Sequence, residues 1–326
     1  MDYSGFYKRC GVDYTTELFC PLYQSKAWEM LIIEVLVLYG VLPLKLKCDG
    51  NDDFLVIEMR LKDKVAIITG CTRGFGKTIS MMFAKEGASV SICDISPVLE
   101  LEENVGKKIR EFGGKVLCSQ VDVSNEEQVF KLIRKTVKEF GKVNILVNNV
   151  GIAGPTADCQ DIDTADWDKV MAVNLRGTFL CCKAVFPEMI KQKSGRIINI
   201  SSIRGKMPFP QRTPYATSKM GIIGFTRSLA AEVGQYNITV NAICPSVPQN
   251  DERAIEVIKA RATFEGVPDQ WEIMFEESLE SVKKTIPLGR LIEHEDVASL
   301  AVFLASNEGK NITGEDINVS AGKLMG

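Results

Sequence analysis

The 326-residue chain has a single histidine, His294, and its ten cysteines include no C-x-x-C pair. A zinc site of ordinary Cys/His spacing is hard to build from that set, so no metal is expected. No charge of either sign dominates. Lys plus Arg is 39 against 42 for Asp plus Glu, a net charge of −3, which argues against nucleic-acid or anionic-membrane partners. A long uncharged apolar run is also missing. The most apolar stretch, Trp28 to Leu46, contains Glu29 and Glu34, and its uncharged centre from Val35 to Leu44 is ten residues. A membrane-spanning helix needs about 20. Asp2, Asp13 and Glu17 precede this run and no A-x-A-like site follows it, so a secretory signal is not expected either.

What is present is unevenly spread. Residues 1–58 hold five of seven tyrosines, three of ten cysteines and one alanine. Their charge is five basic against nine acidic, which leaves 34 against 33 for the rest. We expect residues 1–58 to be an extension outside the functional unit, and 59–326 to form one domain opening at Met59. Cys71, Cys93, Cys118 and Cys244 lie in or beside apolar runs, as small buried hydrophobes do. Cys181-Cys182 reads as packing within a long helix. A reduced, cytoplasmic protein follows.

From Met59 onward the pattern alternates. Val65–Thr69 (VAIIT) is a short apolar run of the kind buried on both faces of a parallel sheet. Further strands are expected at 89–93, 116–119, 143–147, 196–200, 238–243 and 316–319. Helical patterns lie between them at about 74–86, 98–112, 126–140, 163–191 and 215–232, and a last helix at 296–304. Two helical pieces separated near Gly266-Val267-Pro268 fill 251–284. Alternating strand and helix predicts an α/β fold, one doubly wound parallel sheet with helices on both faces. Ligands bind such sheets beyond the carboxyl ends of the strands.

The chemistry-bearing residues follow the predicted strands. After the first comes Thr69-Gly70-Cys71-Thr72-Arg73-Gly74-Phe75-Gly76. Glycines between a strand and a helix let backbone approach a pyrophosphate, and the helix start supplies N–H donors. Asp94 ends the second strand, 24 residues after Gly70. A carboxylate there accepts from ribose hydroxyls and repels a 2′-phosphate, favouring NAD over NADP; Arg73 argues the other way. Asp122-Val123 and Asn148-Asn149-Val150-Gly151 follow the third and fourth strands and read as walls for adenine and ribose.

In Tyr215-Ala-Thr-Ser-Lys219 the phenol and the ammonium are four residues apart, neighbours on one helix face. A phenol with pKa near 10 is a poor acid–base at neutral pH, and a nearby cation lowers it. Ser202 lies thirteen residues earlier, just past the fifth strand, where a hydroxyl can hydrogen-bond a substrate oxygen. Asn174 stands in a helical stretch that does not favour it.

With these five motifs in order, residues 60–322 closely resemble a short-chain dehydrogenase/reductase of the T-G-x-x-x-G-x-G type. The resemblance implies a Rossmann fold, a homotetramer or homodimer, and a tetrad of Asn174, Ser202, Tyr215 and Lys219. Tyr215 would be the general acid/base, Ser202 would polarise the substrate oxygen, and Lys219 would bind nicotinamide ribose while tuning Tyr215. Asn174 would hold a relay water. Cofactor contacts are expected from Gly70, Thr72, Arg73, Gly74, Phe75, Gly76, Asp94, Asp122, Val123, Asn149, Tyr215, Lys219, Pro245 and Val247. The chain departs from the family pattern at Val150, at Pro245-Ser246, at Asn250 where a threonine is frequent, and at Ser320-Ala321-Gly322.

The expected activity is NAD(P)-dependent hydride transfer to or from a secondary alcohol or ketone. Two stretches shape its pocket, 203–214 and a lid at about 246–287. Arg204, Lys206 and Arg212 in the first suggest a small hydroxylated or anionic substrate. The alternatives are an NADPH-dependent 3-oxoacyl-thioester reductase and, in another class, a non-catalytic dinucleotide-binding scaffold. His294 reads as a helix-start residue.

Overall fold

The computed structural model describes residues 46–47, 56–57, 59–249 and 252–326. The chain divides into two compact units, Met1–Glu58 and Met59–Gly326. The described part of the first is an antiparallel pair, Leu46–Lys47 with Val56–Ile57. The apolar stretch that ends at Leu46, the cysteines before residue 59 and Asn250 otherwise lie outside the described residues.

In the second unit seven parallel strands form one sheet. They are β1 (Val65–Thr69), β2 (Ser89–Asp94), β3 (Val116–Gln120), β4 (Ile145–Asn148), β5 (Gly195–Ile200), β6 (Ile238–Pro245) and β7 (Asp316–Val319). Their spatial order is 3-2-1-4-5-6-7. Ala66 to Ile68 of β1 pair with β2 on one side and β4 on the other. The order therefore reverses between β1 and β4, and the loops leaving these strands part to open a crevice.

Helices cover both faces. On one, α1 (Gly74–Lys85) and α8 (His294–Ala305) pack with α2, made of Val98–Leu101 and Lys107–Glu111 joined by a π turn. On the other lie α3 (Glu126–Phe140), α4 (Thr164–Gln192) and α5 (Thr213–Val233). Between β6 and α8 come α6 (Glu252–Phe264) and α7 (Trp271–Lys284).

α3 shows how local chemistry sets an element. Asn125 caps it by accepting from Gln128 N at 3.1 Å, Glu126 and Glu127 meet the positive end of the helix dipole, and Gly141 closes it at φ +78°. Its buried positions, Val129, Leu132, Ile133 and Thr136, repeat at helical spacing. Each aliphatic side chain buried there contributes about 1.5–3 kcal/mol. α4 is long and apolar enough to span a bilayer by composition, yet half of its most apolar window is buried inside this fold.

The predicted elements are all present, with ends shifted by one or two residues. Two π turns lie outside that reading, one at Glu102–Gly106 within α2 and one at Ala172–Arg176 inside α4, placed around Asn174. Ala321, where the family pattern has glycine, adopts φ +52°, a left-handed backbone costing an L-residue roughly 1–2 kcal/mol.

Among the described residues there is no disulfide. Cys71, Cys93, Cys118, Cys181, Cys182 and Cys244 are buried and Cys159 is exposed. Burial pushes the Cys118 and Cys181 thiols up to about 12, so thiolate at neutral pH is negligible. Native protein treated with iodoacetamide at pH 8 is expected to label at Cys159 and at none of the six buried thiols until denaturant is added. Peptide mass spectrometry reads the outcome; native labelling of Cys181 or Cys182 contradicts this packing.

Candidate active site

The turn after β1 is closed by backbone and by Asn149. Gly70 N donates to Cys93 O at 2.8 Å, and Asn149 Nδ2 donates to the carbonyls of Thr69 and Gly70 at 3.0 and 2.8 Å. Gly70 and Gly74 have φ +71° and +59°. A Cβ on Gly76 would sit 2.0 Å from Gly70 O and 2.5 Å from Asn149 Nδ2, so only glycine fits. Val150 presses on the same turn: its Cα and Cγ2 stand 3.2 Å from where a Gly70 Cβ would be.

Asp94 ends β2 with its carboxylate beside the turn, accepting from Thr72 N at 2.9 Å and Ser96 N at 3.3 Å. Arg73, read from sequence as a candidate for a 2′-phosphate, is engaged elsewhere. Its guanidinium pairs with Glu256 at 2.8 Å and Glu252 at 3.4 Å on α6, and the Glu256 hydrogen bond raises its pKa further. Asp122 closes an Asx turn, accepting from Ser124 N and Oγ at 2.8 and 2.7 Å. Val123 is buried, with Gly177 so close that a Cβ there would meet Val123 Cγ2 at 2.8 Å.

The four tetrad candidates converge from three elements. Lys219 Nζ donates to Ile200 O at 2.8 Å and lies 5.8 Å from the Tyr215 ring centroid. Ser202 Oγ accepts from Arg204 N at 3.1 Å, which leaves its own O–H to donate. Asn174 is fully buried; its Oδ1 accepts from Ile152 N at 2.8 Å, and its Nδ2 donates to Ile152 O and Ser218 Oγ, both at 3.0 Å. Thr178 Oγ1 satisfies the Asn174 carbonyl at 2.8 Å. The π turn therefore aims an otherwise helix-averse side chain at the β4 loop. A Cβ on Gly151 would approach Lys219 Nζ to 3.1 Å and Asn174 Oδ1 to 3.6 Å, which packs the two candidates around one glycine.

Two residues of this network were not singled out from sequence. Ser218 links Asn174 to the Tyr215 carbonyl, donating at 2.7 Å, and its place inside Tyr-Ala-Thr-Ser-Lys was the available signal. Ser201 Oγ donates to Lys219 O at 2.7 Å; it is half of a Ser-Ser pair with nothing local to mark it.

A cavity of about 500 Å³ opens on this group. Phe75, Asn149, Ser202, Tyr215, Lys219, Pro245 and Val247 all line it, with Arg204, Arg212 and residues of α6 and α7. Gly70, Thr72, Gly74, Gly76, Asp94, Asp122, Val123 and Asn174 do not; they form or brace the crevice behind. Thr72 Oγ1, Asn149 Oδ1, Thr156 Oγ1 and Ser246 Oγ are buried polar atoms without a protein partner, and the last three belong to cavity-lining residues. That donor and acceptor set, with the glycine turn, fits a dinucleotide carrying amide and hydroxyl groups.

One expectation is corrected. Lys206 is no substrate cation: its Nζ donates to Asp316 O and Asn318 Oδ1 at 2.7 and 2.8 Å, and it forms an ion pair with the Asp316 carboxylate. Burial disfavours ionised Asp316, but hydrogen bonds from Lys206 and Arg227 outweigh it and hold the carboxyl below its ordinary range. His294 begins α8, its ring 5.1 Å from that of Phe75.

The short chain dehydrogenase family model matches residues 64–254. The chain is 37% identical over 270 residues to the 3-oxoacyl-acyl-carrier-protein reductase FabG of Thermotoga maritima, covering 82% of this chain and all of that protein. It is 34% identical to BbsD of Thauera aromatica, a (hydroxyphenylmethyl)succinyl-CoA dehydrogenase subunit, over 82% of this chain and 99% of the relative. Among solved structures, levodione reductase superposes with a TM-score of 0.75 at 30% identity, covering 81% of this chain and 98% of that one. An NAD+-bound xylitol dehydrogenase gives 0.74 at 28% identity, covering 81% and 100%. With motifs, topology and likeness in agreement, the chain belongs to the short-chain dehydrogenases, enzymes that exchange hydride between a nicotinamide cofactor and a CH–OH group.

Proposed function

We propose that the enzyme uses NAD(H) to interconvert a secondary alcohol and its ketone on a small hydroxylated or anionic substrate. The observation that carries this reading is that Tyr215, Lys219 and Ser202 line one cavity together with Asn149 and Pro245 from the strand ends. Bound nicotinamide supplies hydride acceptance and return. Tyr215 exchanges the proton of the substrate hydroxyl, and its neighbour Lys219, pinned by the Ile200 carbonyl, favours the phenolate. Ser202 donates to the same oxygen as charge develops on it. Asn174, through Ser218, keeps the Tyr215 turn and the Ile152 loop in register. α6 and α7 cover the cavity and exclude water.

The NAD preference rests on Asp94, whose carboxylate would meet a 2′-phosphate as like charge, and on Arg73 being neutralised by Glu252 and Glu256. kcat/KM is expected to be at least tenfold higher with NAD+ than with NADP+, and Asp94→Ser to erase most of that ratio. A tenfold ratio is about 1.4 kcal/mol, within the range of a single like-charge contact. Initial rates with both cofactors decide it; a native preference for NADP(H) overturns the assignment. It would favour the second reading, an NADPH-dependent 3-oxoacyl-thioester reductase, which the name of the Thermotoga maritima relative supports.

We also assign the chemistry to residues 59–326, a reading supported by Arg60 anchoring the start of this unit to buried Glu86 through its main-chain N–H at 3.0 Å and its guanidinium at 2.9 Å. The remaining assignments are homo-oligomerisation and a cytoplasmic site of action. Phe179 on α4 and Met220 on α5, exposed at 44% and 52%, support the first, and the seven unpaired described cysteines support the second.

A further inference from the structure

The cavity wall is charged in one sense only. Among its described lining residues five are cationic, Arg204, Arg212, Lys219, Arg261 and Lys323, and none is Asp or Glu. Three of the five have work to do. Lys219 serves Tyr215, Arg261 pairs with Glu265 at 2.7 Å, and Lys323 hydrogen-bonds Thr285. Arg204 and Arg212 donate only to main-chain carbonyls, and among the described residues neither has a carboxylate partner.

Arg212 is 3% exposed. Two carbonyls hold it, Gly154 O at 2.9 Å and Val257 O at 3.3 Å, which accounts for two of the five N–H donors of a guanidinium. Arg204 rests over the Phe209 ring at 4.4 Å and donates to Pro208 O at 3.3 Å. Burial pulls both groups below the ordinary arginine value, and Tyr215 opposes that for each. A buried cation with only neutral neighbours is costly and is relieved by an incoming anion. The chain connects both to the chemistry: Arg204 is two residues after Ser202, and Arg212 three before Tyr215.

The two helices that complete the lining, α6 and α7, present mostly apolar side chains to the cavity. Phe275, Leu279 and Val282 line the cavity from α7 at helical spacing, and Val257 and Ile258 from α6. A polyol would leave its hydroxyls unpaired against such a surface.

We propose that Arg212, assisted by Arg204, is the receptor for a substrate carboxylate, and that the substrate is a hydroxy acid or oxo acid whose apolar body lies against α6 and α7. The planar guanidinium fork matches a carboxylate, and the apolar wall matches a carbon chain or ring. This rests on the oxidoreductase reading and adds the substrate class to it.

The test uses the full chain loaded with NADH, whose fluorescence is followed while 3-hydroxybutanoate or 3-hydroxy-3-phenylpropanoate is added, each beside its neutral amide. The acids are expected to bind at least tenfold more tightly than the amides, with the phenyl acid the tighter of the two. Arg212→Gln should weaken acid binding at least tenfold and bring acid and amide within threefold; Arg212→Lys should restore part of the difference. Arg204→Gln should give a smaller loss of the same kind. A residue that merely staples Gly154 to α6 would weaken acid and amide alike. Equal binding of acid and amide by the native chain, no binding of either, or an Arg212→Gln variant that loses both equally overturns the proposal. The native acid-to-amide ratio decides even if that variant fails to fold. Failure to bind NADH overturns the underlying reading as well; NADH binding without carboxylate preference overturns this inference alone.

Discussion

Tyr215→Phe is expected to lower kcat by about 10²–10⁴, the usual range for removing a positioned general acid/base, while NADH still binds within about threefold. The reason is geometric. The substitution removes one oxygen from a half-buried ring that keeps its edge contact with Phe209 at 6.2 Å and its place on α5. Lys219 remains anchored to Ile200 O, and Ser202 to Arg204 N, so binding groups are spared and only proton exchange is lost. Steady-state kinetics with a cofactor titration separates the two effects. Turnover within threefold of native would remove Tyr215 from the reaction and return the non-catalytic scaffold as the better reading. Lost NADH binding would instead mean that the phenol holds the cofactor.

Gly76→Ala carries the second large effect. The added methyl would meet Gly70 O at 2.0 Å and Asn149 Nδ2 at 2.5 Å, and the struck atoms are a backbone carbonyl and the amide that bonds it. Neither is the free end of a flexible side chain. The turn has to move away from β4, breaking the two Asn149 bonds that close it. Overpacking of this kind costs about 1–3 kcal/mol of stability, a visible fall in Tm. Affinity for NADH should drop at least a hundredfold, because the turn's N–H groups no longer converge on one place. Thermal unfolding and fluorescence titration check both; NADH binding within twofold of native shows that the turn does not hold the cofactor.

Much of this was legible without coordinates. The run VAIIT is continuous and apolar, and VNILV and RIINI are mostly so, because both faces of a parallel strand are buried. Asn125, Glu126 and Gly141 bracket α3 by capping chemistry that acts within a few residues. Tyr215 and Lys219 share a helix face by spacing alone. Such signals are local, and local geometry is nearly the same in any fold.

Tertiary structure decided which charges are free. Lys206, Arg204 and Arg212 look alike in sequence as cations of one loop. One is spent on Asp316, 110 positions away, while the other two line the cavity without a carboxylate. Arg73 sits in the glycine turn, yet its partners lie 179 and 183 positions on. Asn174 stands out locally only as a helix-averse residue, with its role implied by the family resemblance; a π turn brings it to Ile152 and Ser218. The sequence by itself determined the alternation of strand and helix, the glycine turn and the tyrosine–lysine pair, because each depends on neighbours within one turn or one strand. Only the folded chain decided which ions are neutralised and what the cavity will accept, because Coulomb partners are set by distance in space, and nothing in a local period records it.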